Sequence, residues 1–427
     1  MKEIIISGGK SLSGRIEPSG SKNAALPIIF ATIAAPGISY ISNVSDIGDT
    51  AVAVKILECF GAKVKRVGNI TEINTENLEY VLPSRELTRK IRASSYLIGA
   101  CLARFGKFHL SEFGGCSFCN RPIDMHLYAA EKLGAEYNRG EISAKKLVGA
   151  KIDFEKQSVG ATINSLIMAT AAEGETVLFG VAKEPHVRAL VEFLVSAGAD
   201  ITENEDSFIV KKSNLHGGSV KVIPDMIEAG TYLLLGPMTE GSVTVTGAAA
   251  LELESFLEPL SLSGVSVSYD GEDITLSGTP KRPISIKTAP HPGYPTDLQP
   301  QIAPLMAKYF GGRIEECVWQ NRFSYLDSLM CFGVMSERNT ERALIRPSII
   351  HSSTAAAPDL RGGAALAICA LAARGESKIK NADMILRGYS DFESKLKSLG
   401  ANIKLYDNSA NEESTACLNN PNKTKEV

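Results

Sequence analysis

Cys116 stands in the stretch FGGCSFCNRPID, residues 113–124, after two glycines and five residues before Arg121. A thiol on a flexible, glycine-rich loop beside an arginine is a candidate reactive cysteine. Cys119 completes a CxxC pair, which fits a redox couple or half of a zinc site. No second pair stands at ligand spacing and the six histidines are scattered, so no metal is expected. Six other stretches carry a polar or small-residue signature where a helix-like run begins. They are GSKNAAL with Lys22, IRASSYL with Arg92, SVGATIN with Ser158, DMIEAGTYL with Glu228, YPTDLQPQ with Asp297 and PDLRGGAA with Arg361. Helix starts present free N–H groups and the positive end of the dipole, so they suit phosphates and carboxylates. Any one of these residues could instead cap its helix or pair at the surface. Six in equivalent places argue for an anion site.

Equivalence comes from an internal repeat. LECFGAKV, AEKLGAEY, LVSAGADI, LSLSGVSV, LMCFGVMS and LKSLGANI each read as a helix ending in glycine, then a strand. Their glycines, Gly61, Gly134, Gly198, Gly264, Gly333 and Gly400, recur at intervals on the order of 65–70 residues, one supersecondary unit each. Glycine past a helical run is the expected cap because it accepts positive φ. A second phrase runs in phase, an Ala/Leu-rich segment, a glycine and an alternating strand, at Gly37, Gly106, Gly174, Gly241, Gly312 and Gly375. Each unit is expected to be roughly βαββαβ, its helices small-residue rich, apolar nearly all round and hence buried. Alternating strands and helices indicate an α/β or α+β class, and six units divide into two domains of three.

Composition bounds the partners. A chain of 427 residues, 44% hydrophobic and 22% charged, is ordinary for a globular protein of two domains. A net charge of −3 argues against nucleic-acid binding driven by bulk charge. No apolar run is long enough to span a bilayer, the first residues read as a strand rather than a signal peptide, and eight cysteines in this length make no disulfide scaffold. A cytoplasmic protein with no membrane and no obligate protein partner is expected. SGGKS, residues 7–11, lacks the first P-loop glycine, since Ile4 stands there. No GxGxxG opens a βαβ unit, so no dinucleotide cofactor is expected. From Asp407 on the chain is polar and aperiodic and reads as a disordered tail.

GSKNAALP, RASSYLIG, GGCSFCNRPIDMH, SVGATIN, PHPGYPTDLQPQ, QNRF, PDLRGGAAL and RGY stand in one order along the chain. As a set they resemble the UDP-N-acetylglucosamine enolpyruvyl transferases (1-carboxyvinyltransferases) of peptidoglycan synthesis, over essentially residues 1–406. The resemblance implies an inside-out α/β barrel of two domains with buried helices. Residues 21–228 would form the domain with the Cys loop. Residues 1–20 plus 229–406 would form the other, and 407–427 the tail. The chain would cross between them near residues 19–21 and 225–230.

The resemblance also implies roles. Cys116 would protonate the methylene carbon of phosphoenolpyruvate, with Arg121 and Lys22 favouring its reactive form. Lys22, Arg121 and Arg387 would hold the phosphate and carboxylate of that substrate. Asn23 would bridge the two substrates, and Asp297 would be the general base at the sugar 3-hydroxyl. Arg92 with Arg121, Pro122, Ile123, Asp124 and Met125 would bind uracil. Lys156, Ser158, Val159 and Gly160 would bind the diphosphate, and Val318 would meet the sugar through its backbone. Arg322, Asp359 and Arg361 would line the closing cleft or form an interdomain ion-pair network. The reaction would be addition–elimination between phosphoenolpyruvate and UDP-N-acetylglucosamine, with no cofactor or metal. Departures from the family pattern are Cys119 and Asn120 in the loop, Leu386 before Arg387, Ser390, and HSSTAAA before Pro358. They leave open a catalytically weak paralogue or a nucleotide-sugar-binding regulator. The shikimate-pathway transferase of the same superfamily, which needs no uridine pocket, and a thiol–disulfide oxidoreductase built on CSFC are the remaining alternatives.

Overall fold

The computed structural model describes residues 2–110, 113–114 and 122–407. Cys116, Cys119, Asn120, Arg121 and the tail from residue 408 lie outside the described residues, and so do the expectations placed on them. The remainder is a mixed α/β fold. Among the described residues the strands form six sheets, five of four strands and one of three. Most strands bury alternate residues, as Glu175–Phe179 and Arg342–Arg346 do, so each sheet turns one face to helices.

The third sheet displays the unit plainly. Strand Lys151–Asp153 leads to helix Val159–Ala171, strand Glu175–Phe179, helix Pro185–Ser196 and the strand pair Asp200–Glu203 and Ser207–Lys211. The first strand pairs parallel with the second, and the last strand antiparallel with it. The fifth sheet repeats this from Ile284–Lys287 to Arg342–Arg346. The order is therefore βαβαββ, not the βαββαβ expected. The glycine phrases mark where helices stop, but strands of three to five residues carry too little pattern to be assigned to one inter-helix interval or the next.

The helix-ending glycines behave as the repeat demands. Gly61, Gly134, Gly198, Gly264, Gly333 and Gly400 all have φ between 91° and 101°, a region closed to most side chains. The second phrase is less uniform. In the fourth and fifth units positive φ falls one residue early, on Glu240 and Gly311. Gly241 is needed for space instead, since a Cβ there would sit 1.8 Å from the Leu12 carbonyl oxygen.

The first helix of each unit is buried nearly all round. Lys22–Ala31 buries everything from Ala24 on, Val159–Ala171 buries Ala161 to Thr170, and Leu360–Ala372 buries Leu360 to Leu371. Small side chains permit this: a Cβ on Gly99 would lie 2.6 Å from Asn164 Oδ1, where helices Leu97–Phe105 and Val159–Ala171 cross.

Two hydrophobic cores result. One draws on residues 24–222, the other on residues 4–16 and 227–403. The N-terminal strand Lys2–Gly8 belongs with the second, inserted between Gly375–Lys380 and Asn402–Asp407 to finish the sixth sheet. In turn Ser219–Lys221 pairs with Ile38–Ser42 to finish the first sheet. The two passages between the cores run side by side. Gly20 bridges Pro224, Ser21 N donates to Ile223 O at 2.7 Å, and Asp225 N donates to Ser19 O at 2.8 Å. A Cβ on Gly20 would fall 1.7 Å from Asn43 O. Gly20→Ala is therefore expected to cost about 2–4 kcal/mol. A shift in the urea midpoint checks it, and an unchanged midpoint would mean that the crossing yields freely.

Candidate functional site

Helix starts from the two cores meet at Lys22 and Asp225. Lys22 opens the first helix, and Ser21 before it supplies no side-chain cap. Its backbone N–H donates to Asp225 Oδ2 at 3.2 Å, while Asp225 Oδ1 accepts from Ile227 and Glu228 at the start of Met226–Leu233. One carboxylate thus closes two helix starts, one in each core. Lys22 Nζ lies 3.5 Å from Asp49 Oδ2, and Arg387 Nε donates to Asp49 Oδ1 at 2.8 Å. Asp49 is buried between two cations that come from opposite cores. Arg387 Nη2 also donates to Lys90 O at 3.0 Å. Gly114, from which the Cys116 loop departs, is fixed on the same segment: its N–H donates to Thr88 O at 3.1 Å, and a Cβ would meet Arg89 O. Gly114, two residues before Cys116, therefore adjoins the Arg387 contact.

Asp297 lies in a single 3-10 turn, Thr296–Leu298, before helix Gln299–Lys308. Arg322 Nη2 meets its Oδ1 at 2.6 Å; Arg361 Nε and Nη2 meet its Oδ2 at 3.2 and 3.1 Å. Both arginine side chains are 5% exposed. Burial pushes the Asp297 pKa up, but Arg361, Arg322 and then Lys22 outweigh it and hold the carboxyl far below the usual range. That Lys22 contributes places the two sets of charges in one electrostatic field. Arg361 also reaches Tyr389 Oη at 3.4 Å, which contacts Thr231 and Gln301. Asp359 is a helix cap, its Oδ1 accepting from Arg361 N and Gly362 N. Asp297, Arg322 and Arg361 form a triad within the second core's residues, while Arg387 with Asp49 and Arg188 with Glu252 pair residues of the two cores.

The third group lies against the first core. Arg92 begins the 3-10 turn that leads into Leu97–Phe105, its guanidinium 6.0 Å from the Phe113 ring centroid. Pro122 is exposed and Ile123 half-buried; Asp124, exposed, and Met125, half-buried, start helix Asp124–Lys132. Ser158 caps Val159–Ala171 by accepting from Ala161 N, with Val159 and Gly160 half-buried behind it. Lys156 is exposed just before this start, and Asn23, half-buried, follows Lys22. Val318 gives its N–H to Glu316 Oε1 at 2.9 Å, which leaves its carbonyl for other contacts.

His126 ties this third group together and carried no role in the sequence reading. It is 4% exposed, its Nδ1 accepts from Asn164 Nδ2 at 2.6 Å, and its ring edge lies where a Gly160 Cβ would be. Burial, then the charge of Arg92, pulls its pKa down to about 4, against the pull of Asp124. The unfolded chain therefore takes up this proton first, and stability falls as pH drops from the usual histidine range through about 4. The loss is on the order of 3 kcal/mol. Urea unfolding at both ends of that window checks it: His126→Gln should lose less stability than the parent, and an equal loss would assign the slope elsewhere. Asp49, Glu316, Asn164 and Tyr389 also escaped the sequence reading. Asp49 lies one residue into helix Gly48–Cys59, and no spacing links it to Arg387, 338 residues away. The runs RPIDMH, SVGATIN and RGY, which contain His126, Asn164 and Tyr389, offered the local signal.

The family model for EPSP synthase (3-phosphoshikimate 1-carboxyvinyltransferase) matches residues 6–396. A UDP-N-acetylglucosamine 1-carboxyvinyltransferase of Halothermothrix orenii is 39% identical over 95% of this chain and 99% of its own length. One from Clostridium botulinum is 40% identical over 94% and 99%. Among solved structures, the enolpyruvyl transferase NikO from Streptomyces tendae superposes with a TM-score of 0.85 at 26% identity, covering 95% of this chain and 99% of that one. EPSP synthase from Acinetobacter baumannii shares the fold with a TM-score of 0.71 at 16% identity, over 95% of this chain and all of that one.

Proposed function

The chain belongs to the EPSP synthase family of enolpyruvyl transferases, and from that premise we propose that it is the enzyme that moves the enolpyruvyl group of phosphoenolpyruvate onto the 3-hydroxyl of UDP-N-acetylglucosamine. The observation that carries this reading is the double cluster at the meeting of the cores. Lys22 and Arg387 flank Asp49, and Arg322 and Arg361 flank Asp297. Phosphoenolpyruvate is a small polyanion, and two cations from opposite cores around one carboxylate make a site that such an anion can enter in the carboxylate's place. Arg92, Asp124 and the helix start at Ser158 supply the chemistry for a base and a diphosphate, which a shikimate phosphate would not require. Near-complete matches to transferases of UDP-N-acetylglucosamine at 39% and 40% identity support the same choice.

In this reading the sugar 3-hydroxyl adds to C2 of phosphoenolpyruvate and gives its proton to Asp297, while the Cys116 thiol gives a proton to C3. A tetrahedral ketal forms. Loss of a C3 proton and cleavage of the C2–O bond to phosphate then yield the enol ether and inorganic phosphate. Asp297 can act as base only when an arginine leaves one of its oxygens, and an arriving anion competes for Arg361 and Arg322 in that way. The two cores would be the two domains, 21–228 and 1–20 with 229–406, of an inside-out barrel. Reacting groups contributed from both would be aligned as the cleft closes. A cytoplasmic location goes with these two metabolites, and the product would enter peptidoglycan synthesis.

Phosphate release is the test, with each substrate alone, with both, and with Cys116→Ser. Release that requires both substrates and falls at least about 100-fold in the variant supports transferase and thiol together. Release that survives in the variant removes Cys116 as the acid. Tight UDP-N-acetylglucosamine binding with no release by the parent would make the protein a nucleotide-sugar-binding regulator.

A further inference from the structure

Glu316 is 3% exposed, one residue beyond strand Gly312–Glu315, and no cation lies within salt-bridge distance of it among the described residues. Four neutral donors surround it. Oε1 accepts from Thr288 Oγ1 at 2.8 Å, Val318 N at 2.9 Å and Trp319 N at 3.0 Å; Oε2 accepts from Thr296 Oγ1 at 2.8 Å. A buried carboxylate is costly unless its lone pairs are filled in this manner. Building one here, where a neutral side chain could hold the turn, needs a reason.

The reason lies in Thr296. A hydroxyl has a single proton, and here it is committed to Glu316. Its remaining lone pairs must face donors, and Arg322 Nη1 is there at 3.0 Å. The other nitrogen of the same guanidinium holds Asp297 Oδ1 at 2.6 Å. The charge of Glu316 thus sets the direction of the Thr296 hydroxyl, the hydroxyl sets the fork of Arg322, and the fork sets the plane of the Asp297 carboxylate. The other oxygen of Glu316 meanwhile fixes the backbone at residues 318–319. On the function proposed above, we infer that Glu316 is a positioning residue. It locks the carboxylate of Asp297 and the sugar-facing backbone of Val318 into one register, so that the attacking hydroxyl and its base keep their relative placement.

Glu316→Gln is the discriminating variant. Its carbonyl oxygen can keep the bonds to Thr288, Val318 and Trp319, but its NH₂ group must donate to Thr296, which reverses that one bond. We expect kcat to fall at least tenfold, the KM for phosphoenolpyruvate to change less than threefold, and the acid limb of the kcat profile to move. Thr288→Val removes one bond to the same carboxylate on the side away from Asp297. It should lower Tm yet keep kcat within about threefold. A merely structural role predicts the reverse: both variants would lose activity only in proportion to the folded fraction, with unchanged kcat per folded molecule and an unmoved pH profile. That result would overturn the inference. A crystal structure of Glu316→Gln reads the positioning without any substrate. Displaced Arg322 and a rotated Asp297 carboxylate support it, and unchanged geometry at both overturns it. A parent that releases no phosphate from the two substrates would sink the proposed function, while the crystallographic result would still decide the positioning chain.

Discussion

Asp297→Asn is expected to lose nearly all turnover while UDP-N-acetylglucosamine still binds. The variant keeps the shape of the side chain and loses the charge between Arg322 and Arg361, both 5% exposed. Loss of a general base lowers rate by roughly 100- to 10,000-fold. Removing one partner from a buried ion pair costs about 3–5 kcal/mol, because the arginines remain buried without compensation. Steady-state phosphate release, calorimetric binding of the nucleotide sugar and denaturant unfolding separate the three effects. Turnover within threefold of the parent would remove Asp297 from the chemistry. The sign of its pH dependence follows from the direction of its shift. Because the folded carboxyl titrates far below the ordinary value, its stabilisation is complete above the usual carboxylate range and is lost progressively as pH falls from that range through the depressed value. Mild acid therefore leaves the triad charged. Loss of stability between neutral pH and about 4 should shrink in His126→Gln but not in Asp297→Asn, and His186, whose pKa burial also lowers, should account for part of what remains.

The second large effect is expected at Arg387. Its guanidinium holds Asp49 and the Lys90 carbonyl at once, so it joins the second core to the segment on which Gly114, two residues before Cys116, is held. Arg387→Lys keeps the charge but cannot make the forked contact. The KM for phosphoenolpyruvate should rise about 10- to 100-fold, the loss of one charge-assisted pair, with nucleotide-sugar affinity unchanged. If Asp49 and Arg387 act as one unit, Asp49→Asn combined with Arg387→Lys should cost less than the sum of the two singles. Strict additivity would mean that the bridge has no bearing on the anion site.

Much of this protein is legible in its amino-acid sequence. The six glycines that end helices at near-regular intervals carry a requirement for positive φ that no neighbour alters, and all six meet it. The helix-start signatures at Lys22, Arg92, Ser158, Glu228, Asp297 and Arg361 were equally local, since polar residues must appear where free N–H groups do. They lie at or within a turn of the buried helices they were expected to begin. The strand order within a unit was not legible. Short strands were visible in number, but which interval each belongs to is decided by pairing across the sheet.

The site divides along the same line. Sequence by itself determined which residues bear charge at helix starts, that Cys116 follows two glycines, and that the unit recurs six times. These depend on backbone conformation and residue type over a few positions. Only the tertiary structure decided that Asp49 faces Arg387, that Arg322 and Arg361 grip one carboxylate, that His126 is buried against Asn164, and that Glu316 collects four donors. Each of those contacts joins segments brought together by packing and burial, and desolvation gives charged groups their strength only after the chain has closed around them.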